Sequence, residues 1–110
     1  MIKLYLASAY SDPDPAQEQA NYSKAVDACA KLHELGYLVY SPIVHWHIVA
    51  KSHNLNGSAE YWVEYAFAFI QWCDILCVLK TPNYSKSKGV KGEIKFAKKL
   101  GKPVMYFPWE

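Results

Sequence analysis

At 110 residues, 52% of them hydrophobic, with a net charge of only +2, the chain is sized for one domain spanning residues 1–110, with no second core and no internal linker. Its lysines gather between Lys80 and Lys102, which argues against a general binder of nucleic acid polymers and in favour of a small anionic ligand. No run of about 18 apolar residues is present to cross a membrane, and the opening MIKLYLASAY is too short and too interrupted for a signal peptide.

Ile2 to Ala7 reads as a buried strand that ends in the small, flexible Ser8-Ala9-Tyr10-Ser11. Asp12-Pro13-Asp14-Pro15 then combines a capping carboxylate with a proline suited to a first helical turn, so a helix is expected to begin near Asp14. Tyr22, Ala25, Val26, Cys29, Ala30 and Leu32 recur at helical spacing, and Gly36 is placed to end the helix. Tyr37 to Tyr40 is a second short strand closed by Ser41-Pro42. The pattern through His45, Trp46, His47, His53 and Asn56-Gly57-Ser58 is irregular and reads as a long loop, a feature usually tied to function in a small domain.

Ser58 is expected to cap a helix carrying Tyr61, Trp62, Tyr65, Phe69 and Trp72, with Glu60 and Glu64 one turn apart. That aromatic series covers more than one helical face, which suits a core plus a subunit interface and makes a homo-oligomer the expectation. Asp74 to Leu79 follows as a short apolar strand, with Asp74 in a capping or structural role. A helix is predicted from about Gly89 to Leu100, Gly101 stops it, and Pro103 to Phe107 is the last strand. Alternating strands and helices joined by right-handed crossovers predict an α/β fold, a flavodoxin-like or Rossmann-like three-layer sandwich with a parallel four-stranded sheet in the order 2-1-3-4. Cys29, Cys73 and Cys77 have no CxxC spacing and lie in apolar stretches, so buried thiols in a reducing, cytoplasmic setting are expected.

Sheets of this kind bind ligands at the carboxyl ends of their strands, here Ala7 to Ser11, Ser41 to His47 and Lys80 to Glu93. With no GxGxxG after the first strand and no Walker sequence, dinucleotide and triphosphate chemistry are disfavoured. The phosphate-competent element instead follows strand three. There SKSKGVKGE places Ser87, Gly89, Gly92, Lys88 and Lys91 at a helix start, whose unpaired N–H groups and partial positive charge favour an anion. The same dipole, with Lys91 close by, is expected to favour ionisation of Glu93. His45 and His47 form an HxH pair that on an extended segment directs both rings to one side. Lacking a third ligand at a convincing spacing, the pair is read as lining for a base or sugar pocket, with Trp46 directed elsewhere, and neither a metal nor another cofactor is expected.

YLAS at strand one, a buried strand opening with Asp, and S-x-G-V-x-x-E followed by Ala, Gly-Lys-Pro and a further strand resemble the nucleoside 2-deoxyribosyltransferase superfamily over nearly the whole chain. Within it the segment Ser87 to Glu93 is most similar to the deoxynucleoside 5′-monophosphate N-glycosidases. The resemblance implies that Glu93 is the nucleophile that attacks C1′ to form a glycosyl-enzyme, that Tyr5 holds it in place, and that Ser87 contacts the phosphate. Substrate-binding roles are expected for Ala7, Ser8, Tyr10, His45 and His47 from their place at the carboxyl ends of the strands and for Gly89 and Lys91 from theirs at the helix start, and the resemblance implies a small nucleoside or nucleotide as partner. The chain departs from the superfamily where a general acid commonly precedes strand three: Ala66 and Phe67 stand there, and Glu64 or Glu60 substitutes only if the helix is shifted or rotated. Larger relatives also continue past the position of Trp109-Glu110. A non-catalytic nucleotide-binding module is the alternative these departures leave open.

Overall fold

A computed structural model describes residues 1–55 and 59–110. In chain order the elements are β1 (Lys3–Ala7), α1 (Pro15–Glu34), β2 (Leu38–Tyr40), α2 (Pro42–His53), α3 (Ala59–Trp72), β3 (Ile75–Lys80), a short 3-10 turn (Tyr84–Lys86), α4 (Lys88–Lys99) and β4 (Val104–Pro108). The four strands form one parallel sheet in the order β2-β1-β3-β4. The expected three-layer α/β sandwich is therefore the fold. The Ser58 cap expected for α3 lies outside the described residues, and so does the side chain of Glu60.

Strand alternation divides the core in two. Leu4 and Leu6 of β1 join Cys77 and Leu79 of β3 against Ala28 and Leu32 of α1. Tyr5 and Ala7 face the other way, with Leu76 and Val78, toward Ile70 of α3 and Val90 and Ala97 of α4. Because side chains alternate along a strand, the two neighbouring residues Leu4 and Tyr5 serve opposite layers. Tyr5 thereby faces α4.

The helix ends follow the local chemistry. Asp14 accepts from the Ala16 amide at 3.0 Å to start α1, with Pro15 in the first turn. Gly36, at φ 97°, ends it, bonding back to His33, while Tyr37 reaches Leu32. Gly101, at φ 74°, ends α4 in the same manner through Lys98 and Ala97. Both are left-handed caps that satisfy the last carbonyls of a helix. Asp74 takes the structural role expected of it, since its carboxylate accepts from the Lys3 amide at 2.8 Å and its own amide donates to the Lys3 carbonyl.

The long loop expected after β2 is instead helical. Ser41 caps α2, accepting from the Val44 amide at 3.1 Å, and Pro42 occupies the first turn. The serine and proline that close β2 are thus a helix start of the kind Asp14-Pro15 makes. Apolar periodicity is poor in α2 because only His47 is buried along it, and Asn54, left-handed at φ 52°, ends it. The thiols are free; Cys73 and Cys77 are buried, whereas Cys29 is only partly so. Among the described residues no helix is long and apolar enough to cross a membrane.

Candidate active site

α4 lays its inward face, Val90, Ile94 and Ala97, on the sheet. Glu93 shares that face and is a carboxylate where the helical period calls for an apolar residue. Its partner is across the interface: the Tyr5 hydroxyl donates a very short hydrogen bond to Glu93 Oε2. Tyr5 is fully buried, and burial together with the neighbouring Glu93 raises its pKa well above the usual value, so the phenol keeps its proton and acts as donor.

Glu93 itself departs from the expected ionisation. Burial pushes its carboxyl up to about 7, and the Tyr5 hydrogen bond opposes that only in part. The reason is position. Ser87 is the N-cap of α4, so Glu93 stands in the second turn, beyond the reach of the helix end, and desolvation outweighs the dipole. Gly92 is likewise too deep in the helix for its amide to face an anion, which removes it from the expected cradle.

What remains at the α4 start is compact. Ser87 Oγ accepts from the Val90 amide at 3.2 Å, and the hydroxyl proton is still available to donate to an anion. The first helical amides, Lys88 and Gly89, lack intrahelical acceptors by geometry. Lys88 and Lys91 are exposed beside them. A side chain at Gly89 would meet only Ser87 Oγ at 3.8 Å, so nothing within the chain demands glycine there.

The other expected residues separate into two groups. Ala7 is buried on the Tyr5 side of β1, and Ser8 is buried with its Oγ unpartnered among the described residues. Tyr10 and His47 belong instead to a clamp between α1 and α2. The Tyr10 hydroxyl lies 2.6 Å from His47 Nδ1, Gln19 Oε1 lies 3.3 Å from Nε2, and Tyr22 stacks on the imidazole at 3.9 Å. A neutral ring that accepts from Tyr10 and donates to Gln19 satisfies both nitrogens, and burial, with Lys51 nearby, lowers the His47 pKa toward that form. Asn21 completes the clamp by donating to the Tyr10 carbonyl at 2.9 Å.

On a helix, residues two apart diverge, so His45 and His47 do not point the same way as they would on an extended segment. His45 is exposed and lies against Tyr40 and Trp46, with ring centroids 5.8 and 4.8 Å away. Trp46, expected to point elsewhere, turns its indole toward the Tyr40 hydroxyl. Tyr40, which sequence reasoning passed over, ends β2 at the ligand edge, with its ring 5.9 Å from Tyr5 and stacked on Phe69 at 3.8 Å. The signal available for it was its place as the last residue of a parallel strand.

Where a general acid was sought, Phe67 stacks on Phe96 of α4 at 3.9 Å and Ala66 packs on the same core, while Glu64 is exposed. Two shallow depressions of about 350 and 340 Å³ open at the same edge, one by Lys80, Tyr106 and Trp109, the other by Asp12, Gln17 and Asn83; Glu93 lines neither. Among the described residues no cluster of His, Cys, Asp and Glu is arranged to hold a metal ion.

These features define a class: a parallel α/β sandwich in which a strand-one tyrosine holds a part-buried glutamate on the helix that follows strand three. The chain belongs to the family of the domain of unknown function DUF1937, whose profile matches residues 2–108. No curated protein matches the sequence. Among solved structures it is similar to the CMP N-glycosidase BcmB of Clostridium botulinum, with a TM-score of 0.62 and 17% identity over 96% of this chain and 71% of that one. It is also similar to the 2-desoxiribosyltransferase from Leishmania mexicana, with a TM-score of 0.62 and 20% identity over 98% of this chain and 65% of that one. At these identities the likeness is one of fold.

Proposed function

We propose that this protein cleaves or exchanges the N-glycosidic bond of a deoxynucleoside or its 5′-monophosphate, with Glu93 as nucleophile and Tyr5 as the residue that positions it. The observation that carries the reading is the hydrogen bond from Tyr5, in the middle of β1, to Glu93 on the inward face of α4. A carboxylate placed on the inward face of a helix costs stability and has no packing value, and such groups concentrate at functional sites. Attack of Glu93 on C1′ forms a glycosyl ester as the bond to the base breaks, and water or a second base then releases the sugar from the ester. The folds shared with a CMP N-glycosidase and a 2-desoxiribosyltransferase lend support. Ser87, the amides of Lys88 and Gly89, and Lys91 would receive the 5′-phosphate.

A carboxyl with a pKa of about 7 is half ionised at neutral pH, so the nucleophilic form is present, and its fraction grows as the pH rises. The alternative, a non-catalytic nucleotide-binding module, draws support from one observation. Ala66 and Phe67 stand where the resemblance leads one to expect a general acid, and both pack into the α3–α4 core, Phe67 by stacking on Phe96. Incubation with a panel of deoxynucleosides and deoxynucleoside monophosphates, followed by chromatography for free base, separates the two. Base release that Glu93→Gln abolishes supports the enzyme, and binding without release of any base supports the module.

A further inference from the structure

Three polar side-chain atoms are buried without a well-formed hydrogen bond among the described residues: Ser8 Oγ, the Tyr40 hydroxyl and Trp46 Nε1, the last two turned toward each other but short of hydrogen-bond geometry. Folded proteins leave few such atoms, because burial removes the water that would otherwise satisfy them. All three lie at one edge of the fold. Ser8 directly follows β1, Tyr40 ends β2, and Trp46 sits in the second turn of the helix that β2 leads into. Tyr40 is one ring away from Tyr5, at 5.9 Å, and Tyr5 holds Glu93.

We propose that Tyr40 and Trp46, together with Ser8, form the sugar-binding edge of the site and hydrogen-bond a ring hydroxyl of the pentose. The inference rests on reading Glu93 as the group that attacks C1′. In such a displacement the nucleophile and the departing base occupy opposite faces of the sugar, so groups one ring from Glu93 on its own side meet the sugar and not the base. The ligand atom is further constrained by the donors. An indole N–H only donates, whereas phenol and serine hydroxyls both donate and accept, and a hydroxyl oxygen can serve all of them. A phosphate beside a buried carboxylate would be repelled. In a 2′-deoxy sugar the ring hydroxyl concerned is the 3′-hydroxyl. The exposed His45 ring lies next to both Tyr40 and Trp46, on the solvent side of the pair.

The test pairs stability with selectivity. Tyr40→Phe removes an oxygen that forms no well-aligned hydrogen bond, its nearest polar neighbour being the Trp46 indole, so thermal denaturation should show a Tm at or above that of the wild type. A lowered Tm means a structural partner for the hydroxyl and overturns the proposal. Calorimetry then compares 2′-deoxynucleoside 5′-monophosphates with their 2′,3′-dideoxy counterparts. The wild type should favour the 3′-hydroxyl by about five- to ten-fold, the range of one or two neutral hydrogen bonds, and Tyr40→Phe should lower that preference to about two- to three-fold. Preference unchanged in Tyr40→Phe refutes the sugar edge even if base is released. Preference lowered in the variant, with no base released by the wild type, upholds the sugar edge and refutes the nucleophile. Failure to bind any member of the panel overturns both.

Discussion

Tyr5→Phe is the most direct perturbation of the Glu93 site, since it deletes one oxygen from a fully buried ring and leaves its packing in place. In the wild type, burial raises the Glu93 pKa to about 7, and the Tyr5 hydrogen bond is the influence that lowers it. A hydrogen bond to a charged group contributes about 1.5 to 3 kcal/mol, and about 1.36 kcal/mol corresponds to a tenfold change in acidity, so its loss should raise the pKa by about one to two. At pH 7 the ionised fraction would then fall from about one half to between about one tenth and one hundredth. Turnover should drop roughly five- to fifty-fold at pH 7 and recover in large part above pH 9, because the lost species is the carboxylate. The assay is base release across pH 5 to 10, joined to a 13C NMR titration of the Glu93 carboxyl, which reads the pKa whether or not the protein turns over. A wild-type Glu93 that titrates near the ordinary carboxylate value, or a titration that Tyr5→Phe leaves in place, would refute the reasoning.

Glu93→Gln should abolish base release yet stabilise the fold at neutral pH. The carboxyl's folded pKa of about 7 lies above its ordinary 4.5, so the native state holds the proton longer, and wild-type stability falls as pH rises from about 4.5 to 7 and then levels. At about 1.36 kcal/mol per pH unit the loss over that interval is roughly 3 kcal/mol, and urea melts of the variant should lack that slope. Ser87→Ala should lower stability by about 1 kcal/mol as a lost helix cap, and should also weaken a monophosphate about ten-fold while sparing the matching nucleoside. Equal effects on both ligands would assign Ser87 to capping alone. We further propose a homo-oligomer. Tyr61, Tyr65 and Trp72, which share one face of α3, are 37–42% exposed, an apolar face that sedimentation at micromolar concentration should find covered; a monomer throughout would count against it.

The sheet topology, and the order of elements apart from α2, were legible in the sequence because local signals carry them. Apolar runs marked β1 and β3, Asp14-Pro15 marked the start of α1, and Gly36 and Gly101 marked two helix ends whose left-handed backbone the structure displays. The pairing of Glu93 with Tyr5 was implied only by the resemblance, since no local pattern links a strand-one hydroxyl to a helix 88 residues away. Two matters were decided by tertiary structure alone. α2 carries Ile43, Val44, Trp46, Ile48 and Val49 all round its axis and buries only His47, so no one-sided helical period shows in the sequence, and the HxH pair sits on a helix instead of the expected extended segment. Glu93 was expected to ionise readily on the strength of a nearby helix start, yet its pKa depends on how much water reaches it. Desolvation is a sum over every atom packed around a group, from β1 as well as α4, and this sum exists only once the chain has folded. The same is true of Tyr40, Trp46 and Ser8: their residue types are written in the sequence, but that three of their polar atoms are buried without well-formed hydrogen bonds is a property of the packing.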